Sequence, residues 1–258
     1  MGSSARPGGA PLDGRVAVVV GASSGIGAAT AQLFARAGAR VHAAARRVPN
    51  LDDGIHGHEL DIVDRAAVDT FARTLTAEGS VDVVVVAAGT NVPERSLEAL
   101  APESWDTLIA VNLTGVFNAV HAFLPALRDG GGDVVLIGSV SGSWPDDSGP
   151  AYQASKAGLL AFARAAALEA HDAGVRFTSV LPGVVDTPIL DLRPAPPPDE
   201  LRARMLKPED VAEACLFAVT LPPRAHIPEL TILPTALQAL GKTSTAGYQP
   251  TTNSARTG

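Results

Sequence analysis

Tyr152 and Lys156 are the residues in this sequence best suited to moving a proton. They stand four apart in Gly149-Pro150-Ala151-Tyr152-Gln153-Ala154-Ser155-Lys156. In a helix they lie one above the other on one face. A phenol is a poor acid and a poor base at neutral pH, with a free pKa of about 10. An ammonium one turn away favours the phenolate and lowers that value. Such a pair can exchange a proton with an alcohol oxygen near pH 7. The spacing alone is weak, because an ordinary surface helix offers the same pair. Pro150 suits a first helical position, since it has no N–H to leave unpaired. An alanine-rich run follows to about Ala170.

The elements that must position this pair can be read along the chain. Arg15 to Val20 is a short, nearly continuous apolar run, as expected of a strand buried on both faces. Gly21-Ala22-Ser23-Ser24-Gly25-Ile26-Gly27 follows, then a helical pattern over Ala28 to Ala37 that Gly38 is placed to end. Strand, glycine turn and helix together suit a pyrophosphate. Glycines let the backbone approach it, and the helix N-terminus offers free N–H groups. The spacing is G-x-x-x-G-x-G, and a tight βα turn packed for its own sake remains the bland alternative.

Arg40 to Ala45 reads as a second strand, ending in Arg46 and Arg47. In a dinucleotide fold this end lies beside the adenosine ribose, where an acid would take the 2′-OH. Here no acid is present, and two guanidiniums could pair with a phosphate. The expectation is NADP(H) in preference to NAD(H), against a solvated basic turn. A weak third strand, His56 to Leu60, ends in Asp61-Ile62. That pair could hold an adenine, or Asp61 or Asp64 could simply cap the next helix. His56-x-His58-Glu59 looks like a metal cluster but lacks a third ligand, and no metal is expected.

Asp64 to Ala77 is helical. Val81 to Ala87 is a buried strand running into Ala88-Gly89, small enough for a backbone to pass under a cofactor ring. Pro102 to Arg128 is a long helical region with Asn112 in an apolar setting, either a functional amide or a satisfied core one. Asp133 to Gly138 is a strand with Ser139 at its C-terminal end. Ligands of open α/β sheets bind outside such ends, although most serines there are caps. Val175 to Leu181 and Glu229 to Leu233 complete seven strands, with a helix at Pro208 to Val219. Leu190 to Asp199 holds four prolines and reads as a lid-like loop, not helix or central strand. The alternation argues an α/β fold: one doubly wound, Rossmann-type domain over residues 12–240. Its sheet is mostly parallel and seven-stranded, with helices on both faces. Residues 1–11 read as a disordered leader and 241–258 as a mobile tail.

Composition narrows the partners. Among 258 residues 46% are apolar and 4% aromatic, so the core is built from Ala, Val, Leu and Ile. A net charge of −7 argues against non-specific nucleic-acid binding. No continuous apolar run reaches the roughly 20 residues of a membrane span, and no membrane partner is expected. One cysteine, Cys215, allows no disulfide framework and fits a reducing, cytoplasmic compartment.

Taken together, the order of the glycine turn 21–27, Asp61, Ala88-Gly89, Asn112, Ser139, Tyr152-x-x-x-Lys156, and Pro182-Gly183 with Thr187 resembles the short-chain dehydrogenase/reductase family over about residues 12–240. The thirteen-residue interval from Ser139 to Tyr152 matches the family's spacing. The resemblance implies catalysis by Asn112, Ser139, Tyr152 and Lys156. Tyr152 would be general acid for carbonyl reduction and base for alcohol oxidation. Lys156 would lower its pKa and bind the nicotinamide ribose, Ser139 would bond the substrate oxygen, and Asn112 would hold a water behind Lys156. Gly21, Ser23, Ser24, Gly25, Ile26, Gly27, Arg46, Arg47, Asp61, Ile62, Ala88 and Gly89 would bind cofactor, with Pro182, Gly183, Val185 and Thr187 lining the nicotinamide end. Val20 and Ala87 stand where the family usually has Thr and Asn, which puts cofactor affinity and stability in question more than chemistry.

The resemblance also implies an NADP(H)-dependent oxidoreductase for a small-molecule carbonyl or secondary alcohol, acting as a homo-oligomer. Leu190, Leu192, Leu201 and Met205 suggest a medium-sized, partly apolar substrate. Trp144 could wall the pocket or pack at a subunit contact. The alternatives are a 3-oxoacyl-carrier-protein reductase, docking its carrier through Arg193, Arg202, Arg204 and Lys207; an NAD-linked alcohol or hydroxy acid dehydrogenase; and a non-catalytic dinucleotide sensor. The segment His226 to Thr235 looks like the last strand of 3-hydroxy acid and serine-type dehydrogenases.

Overall fold

A computed structural model describes residues 9–47 and 54–237. Most of the expected leader and all of the expected tail lie outside these residues. Seven strands form one sheet: β1 Val16–Val20, β2 Arg40–Ala45, β3 Ile55–Glu59, β4 Val83–Val86, β5 Gly132–Ile137, β6 Val175–Pro182 and β7 Glu229–Ile232. The helices are α1 Gly25–Arg36, α2 Arg65–Glu78, α3 Pro102–Ile109, α4 Gly115–Gly130, α5 Pro150–Ala170, α6 Asp199–Arg202 and α7 Pro208–Thr220.

The strand order is β3-β2-β1-β4-β5-β6-β7, and every pairing is parallel. The chain builds outward from β1 to β3, then returns to the other side of β1. The crevice outside the ends of β1 and β4 is therefore a topological switch point, where ligands of such sheets bind.

Valine-rich strands form because both faces of the sheet are covered. Ala17, Val19, Val83 and Val85 face α1 and α7, packing with Phe34, Val211 and Cys215. Val18, Val20, Val84 and Val86 face α2, α4 and α5, packing with Val68, Phe123, Leu127 and Leu159. Period-two alternation thus feeds two cores rather than one core and solvent.

Two local departures from the sequence reading stand out. The long helical region is divided: Ala110–Thr114 forms a π-helical turn between α3 and α4, with Asn112 inside it. A π turn is rare and collects at functional sites. By composition, the continuous helix 102–130 is long and apolar enough to span a bilayer, but Val116, Phe123 and Leu127 bury one side of it in the core. The proline-rich stretch is also more ordered than a plain loop. It holds a 3₁₀ turn at Pro188–Leu192 and the one-turn α6. Leu201 and Met205 pack with Val184 and Leu190 beneath it, away from any substrate.

At the opposite end of the sheet Asp133 bonds both Arg15 and Arg176, at 2.6 and 2.7 Å. On the β2–β3 edge His42, His56 and His58 stack. His42 Nδ1 lies 3.0 Å from His58 Nε2, and the His42 and His56 ring centroids are 5.1 Å apart. Among the described residues no group of three His, Cys, Asp or Glu is arranged to hold a metal.

Candidate active site

The turn after β1 is held by contact of two backbones. Gly21 has φ +92°, and a Cβ there would lie 2.3 Å from Ala88 N. A side chain at 21 would thus push β1 away from β4. The apolar Val20 and Ala87 are tied by the backbone itself, Ala87 N–H donating to Val20 O at 2.8 Å. Ser24 precedes α1 in an extended conformation and makes no side-chain cap, so the N–H groups of the first turn face the crevice uncapped.

A cleft of about 1020 Å³ runs from this turn across the strand ends. It is large for a single ligand site and suits a dinucleotide with a small substrate. Gly21, Ser23, Ser24, Gly25 and Ile26 line it, as do Arg46, Arg47, Asp61, Ile62, Ala88 and Gly89. Pro182, Gly183, Val185 and Thr187 close its far side, with Ser139, Tyr152 and Lys156. Two expected residues are not on its wall. Gly27 is packed under the turn, where a Cβ would meet Gly21 O at 2.3 Å. Asn112 is fully buried behind the cleft.

At the adenosine end, Arg46 and Arg47 are exposed at the end of β2. Asp64 is the helix cap, accepting from Ala67 N–H at 3.0 Å, while Asp61 accepts from Val63 N–H at 3.0 Å and lines the cleft. The capping role thus falls to Asp64.

At the other end, α5 is docked at its start. Gly149 has φ +94°, and a Cβ there would sit 2.7 Å from Arg95 O. The turn Val140–Gly142 presses on the same helix, since a Cβ at Gly142 would lie 2.9 Å from the Lys156 backbone. Ser139 Oγ accepts from Ser141 N–H and shares a 3.1 Å hydroxyl hydrogen bond with Ser141 Oγ. Ser141 in turn donates to Asp146, which also accepts from the Ser148 hydroxyl and N–H.

Lys156 is 4% exposed and donates to Ile137 O at 2.9 Å. With no carboxylate beside it, burial pushes its pKa down to about 8. Its Nζ lies 5.8 Å from the Tyr152 ring centroid. The expected direction for Tyr152 is reversed: burial raises its pKa above 10 and outweighs the rest. The Ser139 hydrogen bond lowers it, Asp146 raises it, and the cations that lower it are Arg95 and Arg193 rather than Lys156.

Asn112 is a clamp on one backbone unit. Its Oδ1 accepts from Thr90 N–H at 2.8 Å, and its Nδ2 donates to Thr90 O at 3.0 Å and Ser155 Oγ at 3.1 Å. Both Nδ2 hydrogens are committed, and Oδ1 keeps one of its two acceptor positions. Trp144 lies away from the cleft wall. Arg202 is paired with Asp186 and Asp191, and Lys207 with Asp186, so they do not form an open basic patch. Arg95, Thr90 and Asp146 line the cleft without having been anticipated. They sit in irregular segments with no periodic pattern to mark them.

The comparisons agree with this architecture. A family model described as short chain dehydrogenase matches residues 15–196. An uncharacterized oxidoreductase of Staphylococcus haemolyticus is 33% identical over 233 residues, covering 86% of this chain and 98% of the relative. The structure of an alcohol dehydrogenase from the archaeon Thermococcus sibiricus, complexed with 5-hydroxy-NADP, is 31% identical with a TM-score of 0.75, covering 86% of this chain and 97% of that one. Serine dehydrogenase from Escherichia coli is 30% identical with a TM-score of 0.75, at 86% and 98% coverage. The likeness to these proteins thus runs over nearly their whole length, and the chain belongs to the short-chain dehydrogenase family of nicotinamide-dinucleotide oxidoreductases.

Proposed function

We propose that this chain interconverts a carbonyl and a secondary alcohol with NADP(H), Tyr152 exchanging the proton at the substrate oxygen. The observation that carries the reading is the cleft itself: Ser139, Tyr152 and Lys156 share one wall, and Arg46 and Arg47 stand at its other end. When bound, the cofactor supplies or takes the hydride. The chain's residues do the rest. Ser139 and Tyr152 orient the substrate oxygen, and Tyr152, whose burial keeps it protonated at neutral pH, can donate to that oxygen as negative charge develops. A protonated phenol is the form that reduction needs. Lys156 brings a positive charge beneath the ring, with its pKa close enough to neutrality to respond to a bound ligand. Arg46 and Arg47 would pair with a 2′-phosphate, for which the 5-hydroxy-NADP in the similar archaeal structure is supporting analogy.

Titration of NADPH and NADH against wild type and Arg46→Ala tests the cofactor reading. NADPH should bind more tightly, and its advantage should shrink about tenfold in the variant, the scale of a charged hydrogen bond. Equal or tighter NADH binding would overturn the NADP assignment. We further propose a homo-oligomer closed through α4 and α5, whose Phe117 and Leu168 are 37% and 74% exposed. Sedimentation that returns a monomer at micromolar concentration would reject it.

A further inference from the structure

We propose that Arg95 and Arg193 form a receptor for a carboxylate carried by the substrate, so that the preferred substrates are oxo acids and hydroxy acids rather than neutral carbonyl compounds. This rests on the carbonyl chemistry proposed for Tyr152 and names the substrate class for the same site. Both arginines line the cleft at its Tyr152 end. They reach it from separate walls. Arg95 belongs to the segment after β4, fixed to the start of α5 by its contact with Gly149 and by Asn91 Nδ2 donating to Ser148 O at 3.1 Å. Arg193 ends the Pro188–Leu192 turn, its N–H donating to Leu190 O at 3.1 Å, and Pro194 follows.

Each guanidinium is half-buried, and among the described residues neither makes an ion pair with a carboxylate. Arg95 donates through Nε to Val92 O at 3.1 Å, which fixes its plane, and its terminal nitrogens have no hydrogen bond among those residues. Two cations held within electrostatic reach of each other, half out of water and with no carboxylate bonded to either, cost free energy that folding alone does not explain. Burial lowers the pKa of both; Arg193 lowers that of Arg95 further, and Arg202 that of Arg193.

The remaining charges at this end are Lys156 on α5 and Asp146 and Asp147 on the loop before it. Asp146 acts favourably on both arginines, but its hydrogen bonds go to Ser141 and Ser148, and it bonds neither guanidinium. A planar carboxylate entering from the cleft would meet two planar donor forks, the pairing that arginine favours over lysine. The segment that carries Arg193 also presents Leu190 and Leu192, so the acid would bear an apolar portion. Arg202 and Lys207, outside the cleft, are already paired with acids, which favours a small anion inside over an acidic carrier protein outside.

The test is a binding measurement that needs no turnover. Atrolactate is a tertiary hydroxy acid that cannot be oxidised at its carbinol carbon, and atrolactamide is its neutral counterpart. Both are titrated calorimetrically into protein saturated with NADP⁺. The acid should bind about tenfold more tightly or better, and Arg193→Gln or Arg95→Gln should each bring the two ligands to near parity, while Arg193→Lys keeps part of the preference. Should one glutamine variant fail to fold, the wild-type comparison and the other variant still decide. Equal affinities in wild type, no measurable acid binding, or a preference that survives both glutamine substitutions would overturn the inference. If the acid preference holds but no carbonyl compound oxidises NADPH, the proposed redox function fails and the carboxylate receptor stands.

Discussion

The ammonium of Lys156 is held by a backbone carbonyl, that of Ile137 at 2.9 Å, and by no carboxylate. A charge buried on these terms weighs against folding. The folded pKa of about 8 lies below the ordinary 10.5, so the folded chain holds its proton less firmly than the unfolded one. Between about pH 8 and 10.5 the unfolded state binds more protons, and stability rises with pH; below pH 8 the cost is present in full. Lys156→Met should therefore raise stability at pH 7 by about 1–2 kcal/mol, after allowing for the lost hydrogen bond, while abolishing turnover. Paired thermal melts at pH 7 and pH 10 check this, and the gain should shrink at the higher pH.

Tyr152→Phe removes the proton donor and leaves the ring. Turnover should fall by about 10²–10⁴-fold, with NADPH affinity within about twofold of wild type. Single-turnover kinetics beside a fluorescence titration separates the two effects. A variant with full turnover would remove Tyr152 as the proton donor, whereas a non-catalytic sensor would show no turnover in wild type either.

Asn112→Ala strips Thr90 of partners for both its N–H and its C=O, at a site with no exposure. Two orphaned backbone groups should cost about 2–4 kcal/mol. Chemical denaturation measures it. Asn112→Asp should restore only the acceptor half of the clamp, and so fall between the two.

His42 is 7% exposed, and burial first, then His58, His56 and Arg40, push its pKa from 6.5 to about 4. Burial also lowers His58, against the opposing pull of Glu78. These imidazoles fold neutral and must charge on unfolding, so stability is complete above about pH 6.5 and is lost as the pH falls towards 4. The His42 contribution is on the order of 2–3 kcal/mol. Melting temperatures of wild type should drop between pH 7 and 5, and His42→Val should flatten that slope.

The central strands β1, β4 and β5 were legible because each is a short valine-rich run between turn residues, and because burial on both faces removes the polar alternation that would have blurred them. The glycine turn, Tyr152 and Lys156 were legible through their order along the chain as well as their spacing, since one turn of helix fixes how the pair sits but does not tell it from a surface pair. Arg95 was not, because residues 87–101 carry no period and its place is set by Gly149 at the far end of another segment. Trp144 could be read as a pocket wall or a subunit contact, and it is not among the residues that line the cleft. The direction of the Tyr152 pKa was misread for a related reason: sequence spacing gives the neighbouring charge but not the burial, and burial is the larger effect here.

Asp186, at the root of the segment that carries Leu190, Leu192 and Arg193, binds both Arg202 and Lys207. Both fastenings lie outside the cleft, and the proton-moving residues lie on other elements. The stretch from Pro188 to Leu206 is in effect an exchangeable cassette, clipped at its base through its own Arg202 and seated by Leu190, Leu201, Met205 and Leu206. Descendants of this chain could acquire new substrates by rewriting its remaining positions, leaving the reaction itself unaltered.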